Sequence, residues 1–362
     1  MKEMFIYPGS FCPPTYGHLW ILKKASQIFS FVTVVCSVNP DKTEKMFTPE
    51  ESKQLWQSYK LPENCKIMTL DEFFEQYQDK NNVTIIRGIR DTSDFEQEKK
   101  VMADAYKDFG VNSFYYLLSK EGYEKVSSTN TRQYAKELKL RELSKIVSPL
   151  VVSALIEKIF ELRNIFLVVG LPGSGKTTFL KTLAKSGIRN KIILTDDFNK
   201  KLQPTIKKHF GDRDLIDVAL HDDEELNNLI GDQWLEMLEE EIKRTKPQSS
   251  IFIEAAYGLR PSKKIYRFVG GRIIYVGCLN EWANEKRIIN RRTPELLPFI
   301  KIIPDKQESI KIAIEERLQL AIVNTDGNLS TLEMKVKQFA EKLNQKGEVP
   351  WKNYLPGFYS DT

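Results

Sequence analysis

Phe166-Leu-Val-Val-Gly170-Leu-Pro-Gly173-Ser174-Gly175-Lys176-Thr177-Thr178 reads as a buried strand, a glycine-rich turn and the first residues of a helix. Its spacing is G-x-x-x-x-G-K-[ST], that of a phosphate-binding P-loop. The glycines let the backbone close around a polyphosphate, and the helix start directs N–H groups and positive dipole at it. Lys176 has the reach for terminal phosphates, Thr177 is placed to hold Mg²⁺, and Thr178 stands beside them. A chance glycine turn would not carry an apolar strand on one side and an amphipathic helix on the other. The motif stands mid-chain, so a whole domain precedes it.

The 362 residues suit two domains, and the 41% hydrophobic content supplies each with a core. A net charge of +5 fits anionic metabolites better than nucleic acid, which would call for basic clusters interleaved with aromatics. Cys12, Cys36, Cys65 and Cys278 are scattered, without C-x-x-C pairing, which argues against a zinc site or a disulfide framework. No apolar run is long enough to span a bilayer and no signal peptide is visible, so the expected setting is the cytoplasm, with no membrane partner. The sequence is compatible with an oligomer.

Before the P-loop, strands are expected at Met4 to Tyr7, Phe31 to Val38, Ile67 to Leu70, Val83 to Ile86 and Ser113 to Leu118. Helical patterns fall at Leu19 to Ile28, Pro49 to Tyr59, Asp71 to Tyr77 and Asp94 to Lys107. This alternation predicts an α/β, doubly wound parallel sheet, whose ligands gather at the carboxyl ends of the strands. Four polar clusters fall at strand ends or helix starts: Thr15-Tyr-Gly17-His18, Asn39-Pro-Asp-Lys42-Thr43, Arg87-Gly88-Ile-Arg90-Asp91 and Val126-Ser127-Ser128-Thr129-Asn-Thr-Arg132. Singly, each has an ordinary explanation: a surface histidine or lysine, arginines beside a turn, a helix cap. Together they offer imidazole, ammonium, guanidinium, hydroxyl and helix N–H groups to one phosphate-rich ligand.

With Tyr7-Pro8-Gly9-Ser10-Phe11, Phe47-Thr48 and Ser93-Asp-Phe-Glu96-Gln-Glu98 added, these clusters run in an order and spacing that resembles phosphopantetheine adenylyltransferase, a Rossmann-like nucleotidyltransferase of the (T/H)-x-G-H class. The resemblance covers residues 1–160 and implies transfer of AMP from ATP to 4′-phosphopantetheine. It implies that His18 hydrogen-bonds the α-phosphate in the transition state and that Lys42 holds the acceptor phosphate. Arg87 and Arg90 would hold substrate and nucleotide phosphates, Glu98 the nucleotide, and Ser127, Ser128 and Arg132 the β,γ-phosphates. Pro8, Gly9, Ser10, Phe11, Gly17, Gly88 and Thr129 would line the nucleotide, with Ser10 also facing the acceptor. The family usually has Asp where Cys12 stands, Asn where Tyr16 stands, and often a polar residue at Trp20.

Charged and apolar helices are expected at Glu137 to Lys145 and Pro149 to Leu162. The second domain, 161–346, adds strands at Lys191 to Leu194, Ser250 to Glu254, Arg272 to Val276 and from Ala321, a long helix at Glu224 to Lys246 and a last one ending near Gln345. It is a second doubly wound parallel sheet, in P-loop kinase form. Gly170, Gly173, Ser174, Gly175, Lys176, Thr177 and Thr178 would bind nucleotide. Asp196 or Asp197, just past a strand, is the expected base, with Asp197 and Thr177 as Mg²⁺ contacts. Glu254 ends a strand in a Walker-B-like position, and Arg287, Arg291 and Arg292 would meet substrate phosphates. Residues 347–362 form an aromatic tail.

This domain resembles dephospho-coenzyme A kinase less closely, in its paired aspartates, basic segment and Val-Asn-Thr-Asp-Gly stretch. Pairing with the first activity implies a bifunctional coenzyme A synthase, with ATP, 4′-phosphopantetheine and dephospho-coenzyme A or coenzyme A as ligands. The alternatives are nicotinamide mononucleotide adenylyltransferase joined to a ribosylnicotinamide kinase, an adenylyltransferase joined to a kinase for an unrelated acceptor, and a nucleotide-binding regulatory protein.

Overall fold

In the computed structural model, Met4-Phe-Ile-Tyr-Pro-Gly9 forms β1, the central strand of a five-stranded parallel sheet. The structure describes residues 3–38, 46–77, 82–90, 92–109, 111, 113–119, 122–123, 126–213, 217–218, 221–255, 263–277, 286–287, 289–290, 319–325 and 329–345. The chain divides into two units, Met1–Glu137 with Glu142–Val151, and Leu138–Arg141 with Val152–Thr362.

The first unit runs β1, α1 (Tyr16–Ile28), β2 (Val32–Cys36), α2 (Pro49–Trp56), β3 (Cys65–Thr69), α3 (Leu70–Gln76), β4 (Val83–Ile89), α4 (Thr92–Phe109), β5 (Ser113–Leu118) and α5 (Ser128–Lys136). Strand order is β3-β2-β1-β4-β5, every described pair parallel. β2 is buried at every position, as a strand covered on both faces must be. The chain winds outward from β1 through β2 to β3, then returns across β1 to β4. Winding therefore reverses between β1 and β4, where Met4 pairs with Val83 and Ile6 with Ile85. That reversal opens a crevice at the carboxyl ends of these strands.

Three helices of this unit start the same way. Thr15, Thr48 and Thr69 cap α1, α2 and α3, each accepting from the third residue on and receiving that side chain back on its own N–H. The third residue is Glu51 in α2 and Glu72 in α3, the usual partner in a capping box, but His18 in α1. Hence α1 begins at Tyr16, earlier than the apolar periodicity from Leu19 suggests. β4 likewise extends to Ile89, so Arg87 and Gly88 lie inside the strand rather than after it. The single helix expected from Glu137 is also corrected. Glu137 caps the end of α5, Leu138 turns at φ +54°, and α6 spans Leu140–Ile146. The turn buries both Leu138 and Leu140, which one helix would place on nearly opposite faces.

The second unit carries α7 (Pro149–Ile159, begun in the first), β6 (Asn164–Val169), α8 (Lys176–Ala184), β7 (Asn190–Leu194), α9 (Thr195–Phe210), α10 (Asp223–Lys243), β8 (Ser250–Glu254), α11 (Lys263–Val269), β9 (Arg272–Gly277), β10 (Gln319–Asn324) and α12 (Leu329–Gln345). Its sheet is also five-stranded and parallel, in the order β10-β9-β6-β8-β7. β6 and β9 are buried throughout. Phe166 stacks on Phe252, and Phe339 of α12 packs edge-on to Phe166 and Phe179. α9, α10 and Val218 between them keep an apolar cluster, Leu202, Ile206, Val218, Leu226 and Ile230, with Phe198 edge-on to Trp234. Both units are thus parallel α/β layers, as the alternation of strands and helices predicts. Among the described residues, no helix is long and apolar enough to cross a membrane.

Candidate functional site

In the first unit the crest of β1 runs into a loop, Ser10–Thr15, whose carbonyls are tied down one after another. Ser52 donates to Ser10 O (3.3 Å), Arg132 Nη1 to Cys12 O (2.7 Å), Ser128 Oγ to Pro13 O (2.9 Å) and Tyr59 Oη to Pro14 O (2.9 Å). The Phe47 N–H donates to the Cys12 thiol sulfur at 3.3 Å. Cys12 therefore takes a backbone contact at the position where the resembling family has Asp. Phe11 is buried at φ +41°, a conformation an L residue adopts only when its surroundings impose it. Its ring lies edge-on to Tyr7, His18 and Trp56, and a Cβ on Gly9 would come within 2.8 Å of it. Glycine at position 9 is a packing requirement of Phe11.

The capping box settles how His18 is held. The Thr15 N–H donates to Nδ1 at 3.0 Å, so Nδ1 is the acceptor and the ring proton sits on Nε2. The Thr15 hydroxyl lies 3.0 Å from the same nitrogen. A neutral imidazole is thereby oriented at a helix N-terminus, with its one N–H donor on the nitrogen the cap does not use.

Arg87 is fixed from two sides. It forks onto Glu98 of α4, Nε to Oε2 at 2.7 Å and Nη2 to Oε1 at 2.6 Å, and donates to Pro8 O at 2.9 Å. Burial works against its charge, but Glu98 more than offsets this and its pKa is raised. Burial likewise raises the Tyr7 phenol, with Arg87 pulling it down and Glu98 pushing it up. Gly88 is where α1 packs down on the strand: a Cβ there would lie 2.8 Å from Ile21. Arg90 forks onto Asp94 at 2.7 Å through both Nε and Nη2, and its own N–H also donates to that carboxylate.

The sequence-predicted residues thus form two groups. Pro8, Arg87 and Glu98 meet at the β1–β4 crest; His18, Ser128 and Arg132 meet the Ser10–Thr15 loop. Ser127 caps α5 by accepting from the Asn130 N–H, and Thr129 accepts from Arg132 Nη2 at 3.5 Å. Gly17 lies under Val126, 3.5 Å from an added Cβ. Lys42 lies outside the described residues, with Asn39 to Thr43. Phe47 and Asp94 stand in the motifs quoted above without an assigned role, and Tyr59 lies outside them. The one available signal was Asp94 standing four residues after Arg90, an ion-pair spacing.

In the second unit β6 ends at the glycine-rich turn Gly170–Gly175. Gly170 admits no side chain, since a Cβ would lie 2.0 Å from Val276 O of β9. Gly175, at φ +98°, opens α8 with no side-chain cap. Lys176 is 7% exposed and donates to Gly170 O (2.8 Å) and Leu171 O (3.2 Å). Thr177 Oγ1 donates to Glu254 Oε1 at 3.4 Å. The Ser174 hydroxyl is buried and partnerless among the described residues. Burial raises the pKa of Glu254, with Lys176 pulling it down and Asp196 pushing it up. Glu254 therefore accepts from Thr177 and lies within electrostatic reach of Lys176 and Asp196. Asp197 is 56% exposed and pairs with Lys200 at 3.3 Å. Arg287 donates to Gly173 O (3.3 Å) and to Thr325 O (3.0 Å). Arg291, Arg292 and the aromatic tail lie outside the described residues.

Among the described residues no group of three or more His, Cys, Asp or Glu could hold a metal by itself. Thr177 and Glu254 nevertheless supply oxygens of the kind Mg²⁺ takes, since it uses one or two protein oxygens and completes its shell from phosphate and water. The residues present fit that ion, at Thr177 and Glu254 more than at Asp197.

Residues 6–134 match the Cytidylyltransferase-like family model. The phosphopantetheine adenylyltransferase of Leptospira biflexa is 32% identical over 160 residues, 44% of this chain and 98% of its own length. That of Aquifex aeolicus is 33% identical over 161 residues, again 44% of this chain and 97% of its own length. A solved structure of NadR protein in complex with NR overlaps 96% of this chain and 97% of its own, at 15% identity and a TM-score of 0.31, a likeness too distant to bear on function. Two curated relatives are thus matched nearly end to end by a part of this chain that carries the oriented histidine and the strand-end arginines. Through its N-terminal domain, the chain belongs to the phosphopantetheine adenylyltransferase family.

Proposed function

We propose that the N-terminal domain, residues 1–160, transfers the adenylyl group of ATP to 4′-phosphopantetheine, giving dephospho-coenzyme A and pyrophosphate. The observation that carries this is the identity of about one third across 97–98% of the length of curated phosphopantetheine adenylyltransferases. An acceptor phosphate oxygen attacks the α-phosphorus, one P–O bond forms, the bond to the β-phosphate oxygen breaks, and pyrophosphate leaves. Such a transfer needs alignment and charge neutralisation rather than a covalent intermediate. The Nε2–H of His18 donates to the α-phosphate as its charge develops, and Lys42 and Arg87 hold the acceptor phosphate. Arg90 and the N-terminus of α5 hold the pyrophosphate portion.

The domain 161–346 acts, on this proposal, as an ATP-dependent kinase for a small acceptor, dephospho-coenzyme A in the first instance. Its support is the P-loop at the end of β6 and the grouping of Lys176, Thr177, Glu254 and Asp196 around it. Asp196 lies within electrostatic reach of Glu254, so it is the better candidate of the two aspartates to accept the proton of an acceptor hydroxyl. Mg²⁺, held through Thr177 and Glu254, would neutralise phosphate charge.

The test is mass-spectrometric product analysis with 4′-phosphopantetheine and excess MgATP. Coenzyme A as final product supports both halves, and accumulation of dephospho-coenzyme A supports the first alone. Turnover of nicotinamide mononucleotide with no turnover of 4′-phosphopantetheine overturns the acceptor assignment.

A further inference from the structure

Four carbonyls of the P-loop accept from side-chain donors. Lys176 takes Gly170 O and Leu171 O, Arg287 takes Gly173 O at 3.3 Å, and Thr325 Oγ1 donates to Ser174 O at 2.6 Å. A loop that turns its N–H groups toward an anion must turn its carbonyls away from it, and a buried carbonyl turned into protein needs a donor there. To reach a phosphate, Lys176 must give up the carbonyls it holds. Thr325 faces no such competition.

Thr325 sits just past β10 and is 4% exposed. Its N–H donates to Gly277 O at the end of β9 (2.9 Å), its carbonyl accepts from Arg287 Nη2 (3.0 Å), and Arg287 Nη1 lies 3.3 Å from its hydroxyl. Its methyl lies 3.2 Å from where a Cβ on Gly175 would stand. One small side chain therefore ties the ends of β9 and β10, an arginine of the basic segment and the P-loop together.

We propose that Thr325 is a positioning residue for the phosphate site of the second domain. Its hydroxyl holds the Ser174 carbonyl outward, so that the N–H groups at the start of α8 face the nucleotide, and it links Arg287 to the same loop. This rests on the P-loop being a nucleotide site, as proposed above.

The test is hydrogen-exchange mass spectrometry of the full chain titrated with MgATP, read on peptides covering residues 166–184. These report the second domain alone, whatever ATP binds to the first. Thr325→Val keeps the shape and removes the donor; Thr325→Ser keeps the donor and removes the methyl. The valine variant is expected to raise the half-saturating MgATP about tenfold, equivalent to ~1.4 kcal/mol, the order of a buried hydrogen bond. The serine variant is expected to stay within about twofold of wild type, because the same hydrogen bond remains. Should the valine variant not fold, Thr325→Ala is read against Thr325→Ser in the same way. Superimposable curves for wild type and the hydroxyl-less variant overturn the proposal, as does an equal rise in the serine variant. If wild type shows no protection, or Lys176→Ala is protected like wild type, the nucleotide reading of the P-loop fails and the role of Thr325 with it.

Discussion

If His18 acts as proposed, its replacement separates two tasks of one imidazole. Nδ1 accepts the Thr15 N–H at 3.0 Å and completes the cap of α1, while on the proposed reading Nε2 carries the proton offered to the α-phosphate. His18→Ala loses both. The lost bond to the Thr15 N–H is worth ~1 kcal/mol, which lowers the melting temperature of a domain of this size by about 2–4 °C. Removing a single donor to transition-state charge costs about 10²–10³ in kcat, or ~2.7–4 kcal/mol. His18→Glu is the discriminating partner. Glutamate fills the same slot in α2 and α3, where Glu51 and Glu72 accept the N–H groups of Thr48 and Thr69 at 2.9 Å each. It should restore the melting temperature yet leave turnover at or below that of the alanine variant, because it presents negative charge to phosphate. Pyrophosphate release with ATP and 4′-phosphopantetheine, and melting followed by circular dichroism, give the two readouts. A kcat for His18→Ala within threefold of wild type, or a loss confined to KM, refutes the donor role. A glutamate variant that melts like the alanine variant refutes the capping geometry.

Glu98→Gln removes the charge that forks Arg87 and should destabilise the N-terminal domain by about 1.5–3 kcal/mol, seen as faster hydrogen exchange in β4 peptides; unchanged exchange there would count against the ion pair. In the second domain, burial pushes Glu157 up to about 7 from its ordinary 4.5, with Arg272 and the Ile165 N–H pulling it down. A folded-state pKa above the unfolded one means stability is full below pH 4.5 and falls as pH rises toward 7, by ~3 kcal/mol. Denaturant unfolding of wild type minus Glu157→Gln should show that slope, and a flat difference from pH 4.5 to 7 would contradict it.

Much of the fold was legible because it is written in short-range patterns. Val32 to Cys36 is β-branched and apolar enough to be a covered strand, and the T-x-x-E runs at Thr48 and Thr69 mark helix starts by local hydrogen bonding. Thr15-Tyr-Gly-His18 is the same signal with an unusual third residue, histidine in place of glutamate. The glycine-rich turn after β6 was legible for a related reason: its glycines answer local steric needs at fixed offsets.

Sequence alone therefore determined that there are two α/β layers, the order in which their strands and helices follow, and which residue types gather at strand ends. Tertiary structure decided which of those residues act on one another. Arg132 donates to Cys12 O across 120 residues and Thr325 to Ser174 O across 151, pairings that no local periodicity records. Winding order put β4 beside β1 and so brought Pro8 and Arg87 together. The start of α9 put Asp196 rather than Asp197 within the electrostatic reach of Glu254. Local structure follows from sterics and hydrogen bonding within a few residues. These contacts depend instead on how whole layers pack, where burial compels each polar group to find whichever partner the fold brings near.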